Sequence, residues 1–329
     1  MDFTVWVTGR CNMQCKYCYV ENMKKESSFD CEKIDDLVSF IADRSKQKKE
    51  KVRVSFMGGE PILEADLIEL IIQKLNKCIS HIPEYSLTTN GLLIDECLDF
   101  IKKNRIQLSL SLDGCEKAHN MNRIDKAGNG TYKRVVSTYK KIREYGIFPV
   151  RVRGTFNSET SKYLKESVKE LLSIDRDMSA ILVPDVFDHN WSEDNISELN
   201  NTILELKREG LNHISILGDI NTSYCACGGG LSSYQIYMDG RVFPCSYVVN
   251  NDLFCIGNIT DGLNTEKISR FIELYSEKLK ECSGCDYDKY CLSFKCKYLN
   301  YAITKDMRKV SPVVCAMENI KVNSSAMKY

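Results

Sequence analysis

Short β-rich runs alternate with helical patterns along most of the chain. The run 3–8, FTVWVT, favours a strand because it is rich in β-branched and aromatic residues. Apolar residues then recur at helical spacing through Ile34, Leu37 and Ile41. Asp30 is a suitable N-cap for this helix. Further strands are predicted at 52–57, 85–90, 107–114, 148–156 and 180–186, and further helices at 67–75, 131–145, 159–172 and 193–209.

Strands that alternate with helices form parallel βαβ units with right-handed crossovers. Six such units before about residue 220 predict an α/β fold, a partial (β/α)6 barrel of the TIM type. In such barrels the chemistry collects at the carboxyl ends of the strands. The polar exceptions fall at those ends, in the segments GRCNMQCKYC, GGEP, TTNG, SLDG and RGTFN.

The pattern changes beyond the sixth unit. YQIYMDGRVFPC predicts a β-hairpin that turns at Asp239-Gly240. The only long helical pattern after the hairpin covers about 264–280, and cysteines dominate this part of the chain. We therefore predict a barrel domain at 1–220 and a small cysteine-rich domain at 221–329.

Composition narrows the class of protein. Lys+Arg and Asp+Glu both number 45, so the zero net charge gives no indication of a nucleic-acid partner. There is no apolar run near the length of a membrane span, and no signal peptide precedes the first strand. These features predict a cytoplasmic protein that does not enter membranes. In that setting the 16 cysteines point to metal or redox chemistry rather than to disulfides.

Three cysteines, Cys11, Cys15 and Cys18, lie directly after the first predicted strand. A closed zinc site takes four ligands, so three is the wrong number for one. A [4Fe–4S] cluster takes one thiolate per iron, so three thiolates leave one iron open to a small molecule. Three unrelated buried cysteines are the alternative.

The CxxxCxxC loop, with Tyr17 before its last cysteine, resembles that of the radical SAM superfamily. The resemblance implies that Cys11, Cys15 and Cys18 hold the cluster that cleaves S-adenosylmethionine (AdoMet), which binds the open iron through its amino and carboxylate groups. It also implies that cleavage yields methionine and a 5′-deoxyadenosyl radical. That radical would remove an unactivated hydrogen from the substrate.

MGGEP, after the second predicted strand, matches the GGE motif of that family. Gly58 and Gly59 would let backbone carbonyls approach the cofactor closely. Glu60, followed by Pro61, would accept a charge-assisted hydrogen bond from the methionine ammonium group. An ordinary strand-to-helix turn is the alternative for this motif.

Later strands supply further candidates for cofactor binding. The resemblance assigns Ser111 and Asp113, in SLSLDG, to the carboxylate and ribose of AdoMet. Asn90 in TTNG is a further candidate, although Asn-Gly is above all a turn signal. An arginine is expected to pair with the methionine carboxylate, and Arg153 and Arg123 both qualify. A solvated surface arginine is the alternative for each, and the four histidines are interpreted as structural.

A second group of cysteines, in the last third of the chain, resembles the SPASM extension of radical SAM enzymes. The resemblance implies two auxiliary clusters, and a zinc ribbon is the weaker alternative. The first cluster would take Cys227, Cys245 and Cys296, and the second Cys282, Cys285, Cys291 and Cys315. The segment LSFK, before Cys296, is one residue longer than usual for the family.

Seven thiolates are one short of two closed cubanes. Cys225 is expected to close the first auxiliary cluster, although only one residue separates it from Cys227. An open site that binds a substrate thiolate is the alternative. Cys255 is predicted to be structural. The expected cofactors are therefore three [4Fe–4S] clusters and AdoMet.

The resemblance implies a peptide-modifying oxidoreductase. The expected reaction removes a hydrogen from a ribosomally made peptide and installs a thioether or carbon–carbon crosslink, or a related oxidation. Formylglycine formation in sulfatases ranks second. Enzymes of that type carry an Asp that acts as a general base at the position where this chain has Ser246. An iron–sulfur electron-transfer protein or a metal-stabilised binding module would leave GGEP and SLDG unexplained.

The expected partners follow from this reaction. They are a peptide substrate and a low-potential electron donor of the flavodoxin or ferredoxin type. Peptide maturases often carry a leader-binding domain before the barrel, whereas only a few residues precede the first strand here. A separate leader-binding protein is therefore a further candidate partner.

Overall fold

One continuous sheet organises the chain. The computed structural model describes residues 1–20, 27–48, 51–211, 214–218, 228–277, 279–287, 291 and 296–326. Within these ranges eleven strands pair in the order β11-β10-β9-β8-β1-β2-β3-β4-β5-β6-β7. They are β1 (Asp2–Thr8), β2 (Arg53–Gly58), β3 (Glu84–Thr89), β4 (Gln107–Ser111), β5 (Val150–Phe156), β6 (Ser179–Pro184), β7 (Ile214–Ile216), β8 (Ser233–Ile236), β9 (Arg241–Phe243), β10 (Gly257–Asn258) and β11 (Gly262–Leu263).

Strands β1 to β7 run parallel, and β8 extends this parallel sheet on the other side of β1. Strands β8 to β11 then form an antiparallel ribbon. The α-helices in the described ranges are α1 (Ile34–Lys48), α2 (Ala65–Cys78), α3 (Leu98–Lys103), α4 (Glu116–Asn122), α5 (Tyr132–Glu144), α6 (Leu164–Ile174), α7 (Glu193–Arg208), α8 (Thr265–Ser276), α9 (Lys297–Thr304) and α10 (Pro312–Ala326). None of them is both long and apolar enough to cross a lipid bilayer.

Local signals in the sequence explain where several helices begin. The Asp30 side chain accepts a hydrogen bond from the Glu32 backbone N–H at the 3-10 turn that leads into α1. Ser192 and Asn195 form a reciprocal capping box at the start of α7. The apolar faces of the helices pack on the sheet, where side chains such as Ile71 are fully buried. Burying a side chain of this size stabilises the fold by about 1.5–3 kcal/mol.

A second, aromatic core joins the C-terminal region to β1. Trp6 of β1 is fully buried with Phe243, Phe254 and Tyr298. The Trp6 indole also donates to Gln235 Oε1 at 3.2 Å. Because the cysteine loop follows β1, this core fixes the cysteine-bearing C-terminal segments relative to that loop.

The predicted alternation of strands and helices is confirmed, since all six predicted strands occur. The hairpin at Asp239-Gly240 is also confirmed, between β8 and β9. The three-residue strand β7 was not predicted. The statement that 264–280 is the only long helical pattern after the hairpin is wrong, because α10 spans 15 residues. The boundary at residue 220 lies outside the described residues and stays a prediction.

Helix α10 escaped prediction for a physical reason. It buries polar residues, including Glu318 and Lys321, as well as apolar ones such as Val314 and Ile320. The buried Lys321 ammonium pairs with Glu318 at 2.6 Å, which satisfies both charges inside the protein. A helix that buries both kinds of residue has no clear apolar stripe in its sequence.

Candidate active site

The cysteine loop begins where β1 ends, at the carboxyl edge of the parallel sheet. Backbone hydrogen bonds fix its course against the segment that follows α4. Gln14 N–H donates to the Ile124 carbonyl at 2.9 Å, and Lys16 N–H donates to the Asn122 carbonyl at 3.0 Å. The three cysteines therefore lie on a loop whose backbone is held at both sides of Cys15.

The GGEP turn supports the same loop from β2. Gly59 N–H donates to the Thr8 carbonyl at 2.9 Å, and Glu60 N–H donates to the Arg10 carbonyl at 2.8 Å. A Cβ atom on Gly59 would lie 2.7 Å from the Arg10 carbonyl carbon, and one on Gly58 would clash with the Thr8 carbonyl oxygen. The glycines therefore permit close approach of the turn to the cysteine loop, a contact that the sequence did not indicate.

Glu60 is buried, with 1% of its surface exposed. Its carboxylate accepts hydrogen bonds from Ile62 N–H at 3.2 Å, Thr89 Oγ1 at 2.8 Å and Asn90 N–H at 2.7 Å. Burial raises the pKa of Glu60 to about 7, and the three donors partly offset that rise. The side chain thus links the end of β2 to the end of β3, and its contact with a methionine ammonium group stays a prediction. Pro61 opens the 3-10 turn that follows and is buried.

Asn90 lies beside the first cysteine of the loop. Its Nδ2 donates to Asn12 Oδ1 at 2.7 Å and lies 3.8 Å from Cys11 Sγ. Met13 N–H also donates to Cys11 Sγ at 3.4 Å. Donors to a ligand sulfur orient it and tune the electronics of a bound cluster. This geometry suits Asn90 to a role next to the cluster.

Asp113 holds the other end of the loop. Its carboxylate accepts hydrogen bonds from the Tyr17 hydroxyl, from Arg123 Nε at 3.0 Å and from Thr155 N–H at 2.9 Å. The Arg123 guanidinium also stacks over the Tyr17 ring at 5.3 Å. The sequence placed Tyr17, Asp113 and Arg123 near the cofactor without indicating that they contact one another.

The two candidate arginines differ in their surroundings. Arg123 forms a buried ion pair with Asp113. Arg153 is exposed on the face of β5 opposite its core residues and pairs in register with Ser111 of β4. Its charge interacts with Tyr19 and Tyr247, and no carboxylate in the described part of the chain pairs with it. Among the described residues Arg153 thus differs from Arg123 in having no carboxylate partner, and its binding of an external carboxylate stays a prediction.

The three thiols of the loop converge. Burial raises the pKa of Cys15 to about 11. The nearby Arg123 partly offsets this rise, and Cys18 and Cys11 add to it. Burial likewise raises the pKa of Cys11, and Cys18 adds to this rise. Three neighbouring soft donors on one loop fit a [4Fe–4S] cluster, whose iron ions favour the thiolate form.

Several of the predicted auxiliary-cluster cysteines also lie close together. Burial raises the pKa of Tyr247, and the nearby Cys296 and Cys245 raise it further. Burial raises the pKa of Cys282, and Cys285 and Cys315 add to that rise. Cys245 and Cys296 thus lie near Tyr247, and Cys285 and Cys315 lie near Cys282. Thiolates suit iron–sulfur ligation in their chemistry, and the division into two clusters stays a prediction.

The other cysteines of this region divide between described and undescribed segments. Cys225, Cys227 and the LSFK segment lie outside the described residues. Cys291 is described, and its backbone N–H donates to the Tyr287 carbonyl at 3.0 Å. The Cys255 thiol lies 3.3 Å from the Gly257 carbonyl oxygen, a local contact in keeping with its predicted structural role.

A cavity of about 980 Å³ opens between the cysteine loop and the C-terminal region. One wall carries Tyr17, Cys18 and Asn122, and the facing wall carries Ser246 and Tyr247. Sequence analysis missed Asn122, because only the arginine of HNMNR carried a family signal. It also missed the acidic residues that line the cavity, which are Glu159, Asp185 and Asp188.

His119 is fully buried behind the site, as expected of a structural histidine. Its Nδ1 accepts a hydrogen bond from Asp113 N–H at 3.3 Å, and its Nε2 pairs with Thr131 Oγ1 at 2.9 Å. Burial lowers the pKa of His119 to about 4, with Asp113 raising it and Arg123 lowering it to smaller extents. The neutral ring therefore supports the backbone of Asp113.

This burial predicts a loss of stability in acid. The unfolded state binds a proton below about pH 6.5, whereas the folded state excludes it until about pH 4. The neutral His119 therefore makes its full contribution to the free energy of unfolding above about pH 6.5. This contribution is lost as the pH falls towards 4. Between pH 7.5 and 5.5 His119 should contribute a decline of about 1 kcal/mol.

Anaerobic unfolding of the reconstituted protein at the two pH values checks this prediction. His119→Asn keeps an acceptor near Asp113 N–H but does not titrate, so its decline should be smaller by about that 1 kcal/mol. Equal declines in the wild type and the variant would contradict the assignment.

Two known families match segments of the chain. The family described as the radical SAM superfamily matches residues 6–171. The SPASM family, described as an iron–sulfur cluster-binding domain, matches residues 225–286. The chain is also similar to a cysteine-type anaerobic sulfatase-maturating enzyme of Clostridium perfringens. The identity is 26% over 318 residues, covering 85% of this chain and 84% of that protein.

Two solved structures share the fold. The protein designated anSMEcpe, with bound AdoMet and Cp18Cys peptide, has a TM-score of 0.80 at 22% identity, covering 99% of this chain and 96% of that chain. SuiB of Streptococcus suis, bound to precursor peptide SuiA, has a TM-score of 0.69 at 17% identity, covering 95% of this chain and 75% of that chain. These likenesses confirm the predicted TIM-like α/β fold with a cysteine-rich C-terminal region.

Proposed function

The chain belongs to the radical SAM superfamily and carries a SPASM domain, and we propose that it removes a hydrogen atom from a ribosomally made peptide. The proposed product is a thioether or carbon–carbon crosslink, or a related oxidation, and the proposed auxiliary clusters would accept the second electron that this oxidation releases while a proton leaves to solvent. The observation that carries this proposal is the cavity of about 980 Å³ beside Cys18. Its volume and open rim accommodate a segment of an extended peptide. Solved neighbours that bind peptides support the same class of substrate.

Membership in this family implies [4Fe–4S] clusters and AdoMet, and we propose three such clusters. When bound, the loop cluster and AdoMet supply a 5′-deoxyadenosyl radical from one added electron. We assign Cys11, Cys15 and Cys18 to that cluster. The two groups of C-terminal cysteines are assigned to the auxiliary clusters, with Cys225 and Cys227 completing the first.

The chain's own residues position the reactants in this proposal. Hydrogen bonds from the GGEP turn hold the backbone before Cys11, and Asp113 holds Tyr17 beside Cys18. Preorganisation of this kind matters because a misplacement of about 1 Å can cost 10²-fold in rate. Arg153, beside Ser111 on the adjacent strand, is assigned to the carboxylate of AdoMet.

Formylglycine formation is the second candidate, and a specific observation supports it. The sulfatase-maturating relative covers most of this chain. Ser246 occupies the position where such enzymes carry an Asp that acts as a general base. Asp185, which directly follows β6, lines the same cavity as Ser246. Burial raises the pKa of Asp185, which brings a carboxylate closer to the range of a general base. The cavity therefore holds a carboxylate for this chemistry as well.

Peptide mass spectrometry distinguishes the two candidates. The anaerobically reconstituted protein would receive AdoMet, a reductant and one of two peptides. One peptide is Cp18Cys, and the other is a short cysteine-containing peptide encoded beside this gene. Loss of two hydrogens with sulfur retained would support crosslinking, whereas replacement of sulfur by oxygen together with loss of two hydrogens would support formylglycine formation. Failure to modify either peptide would count against the proposed peptide specificity.

The assignment of Arg153 gives a further prediction. Arg153→Ala should raise the AdoMet dissociation constant about ten-fold or more, because a hydrogen bond between charged groups contributes about 1.5–3 kcal/mol. Arg151→Ala is the matched control, since Arg151 is exposed on the same face of β5 two residues earlier. Anaerobic calorimetry measures both constants. Equal effects of the two substitutions would refute the assignment.

The proposed reaction also fixes its partners. One electron per AdoMet cleavage calls for a low-potential donor, for which we propose a flavodoxin or ferredoxin-like protein. A separate leader-binding protein is proposed for peptide delivery. Both proposals place the protein in the cytoplasm, where ribosomal peptides are made.

A further inference from the structure

The cavity wall contains a buried donor without a partner. Asn122, the last residue of α4, is 2% exposed and lines the cavity beside Lys16 and Tyr17. Its Nδ2 makes no hydrogen bond within the part of the chain that the structure describes. Buried amide groups are nearly always paired, so an orphaned one in a cavity wall indicates a ligand that accepts its hydrogen.

The hydrogen-bond network fixes which atom of Asn122 is the donor. Asn157 Oδ1 accepts from the Thr160 backbone N–H at 3.0 Å and from Thr160 Oγ1 at 2.8 Å. Asn157 Nδ2 is therefore a donor, and it reaches Asn122 Oδ1 at 3.3 Å. Turning the Asn122 amide around would bring two NH2 groups together. The NH2 group of Asn122 is thus the one left unpaired.

The facing wall carries two further asparagines, which are half-buried. Asn250 Oδ1 accepts from Arg241 Nη2 at 2.7 Å, and Asn251 Oδ1 accepts from Leu253 N–H at 3.1 Å. Both residues line the cavity, and neither donates from its NH2 group to any residue that the structure describes. The cavity therefore presents amide donors from both walls. Such donors match the carbonyl oxygens that recur along a peptide backbone.

The position of the donors favours a peptide over the cofactor. Among the residues assigned to AdoMet binding, only Tyr17 lines this cavity. The GGEP turn, Asn90 and Arg153 lie outside its lining. Glu159 and Asp185, in contrast, do line it, and their carboxylates suit the N–H groups of a peptide.

We propose that Asn122 Nδ2 donates a hydrogen bond to a backbone carbonyl oxygen of the substrate peptide beside Cys18. This inference rests on the proposed peptide-modifying function and names a residue that holds the substrate. The bond fixes the peptide relative to the cysteine loop, because the Asn122 carbonyl accepts from Lys16 N–H of that loop at 3.0 Å.

Asn122→Asp tests the proposal. It keeps an oxygen to accept from Asn157 but replaces the donor by an acceptor, which repels a carbonyl. Two peptides are tested, Cp18Cys and the cysteine-containing peptide encoded beside this gene. The probe is the one that the wild-type protein modifies. We expect kcat/KM for that peptide to fall at least ten-fold, with an unchanged AdoMet dissociation constant and unchanged peptide-free AdoMet cleavage. Asn201→Asp, on the exposed face of α7, is the control for added charge.

The outcomes separate the possible failures. Weaker AdoMet binding with unchanged peptide kinetics would assign the donor to the cofactor and overturn the proposal. Unchanged kinetics throughout would overturn it too, while leaving the proposed function intact. If the wild type modifies neither peptide, the proposed function fails and this inference fails with it. Should Asn122→Asp not fold, Asn122→Ala removes the donor without a charge and carries the same expectations.

Discussion

Replacement of Cys11, Cys15 and Cys18 together by alanine is expected to abolish 5′-deoxyadenosine formation. These residues are the sulfur donors of the loop after β1, and their thiols lie close enough to influence one another. Without them the cluster whose open iron would bind AdoMet has no protein ligands. Iron content should fall by about four atoms per chain, from roughly twelve to roughly eight, because each cubane holds four. Anaerobic iron analysis and chromatography of the nucleoside product measure the two effects.

The control removes thiols that lie elsewhere. Cys31 and Cys78 are exposed and belong to none of the three predicted groups of ligands. Their double replacement by alanine should leave iron content and AdoMet cleavage unchanged. If the triple variant still cleaves AdoMet, the ligand assignment is wrong. If it loses all its iron, or if the wild type holds zinc with only four irons, the proposal of separate auxiliary clusters is wrong.

The alternation of strands and helices, and the edge of the sheet at which the candidate residues lie, were predictable from the sequence. Apolar periodicity depends on local burial, and parallel strands place their carboxyl ends at one edge. This is why the loops after β1, β2, β3 and β4 could be grouped before the structure was known. The motif residues therefore lie at the carboxyl ends of the strands, as the alternation of strands and helices predicts.

Side-chain partners across the sheet were not predictable. Tyr17 and Asp113 are separated by 96 positions, yet the hydroxyl of one donates to the carboxylate of the other. Glu60 similarly meets Thr89 and Asn90 from the next strand. Periodicity assigns a residue to a face of a strand but does not identify which distant side chain it meets there.

The choice between Arg153 and Arg123 shows the same limit. Arg153 lies on the fifth predicted strand and Arg123 follows the fourth, and their residue type is identical, so the sequence left the assignment open. In the structure Arg123 is buried and paired with Asp113 whereas Arg153 is exposed on β5, which favours Arg153, and the assignment itself stays a prediction. An arginine that already neutralises a buried carboxylate would leave that charge unpaired if it moved to bind an external carboxylate, so it binds the external one less favourably.

The glycines of GGEP have a structural role that the motif did not indicate. The sequence indicated close approach to a cofactor, which stays a prediction. The structure adds a close approach between two parts of the chain, since Gly59 and Glu60 donate to Thr8 and Arg10. That contact matters for the proposed chemistry because it sets the position of the loop that carries Cys11.

Gly59→Ala is accordingly expected to lower AdoMet cleavage by about 10²-fold. The added Cβ would lie 2.7 Å from the Arg10 carbonyl carbon and 2.8 Å from the Gly9 carbonyl oxygen. Relieving this overlap requires a shift of the loop on the order of 1 Å, and misplacement of that size can cost 10²-fold in rate. Gly128→Ala is the control, because its Cβ would meet nothing within 4 Å and its positive φ alone costs about 1 kcal/mol. The rate of 5′-deoxyadenosine formation should fall steeply in the first variant and little in the second, and equal rates would show that the glycine contact does not set the loop.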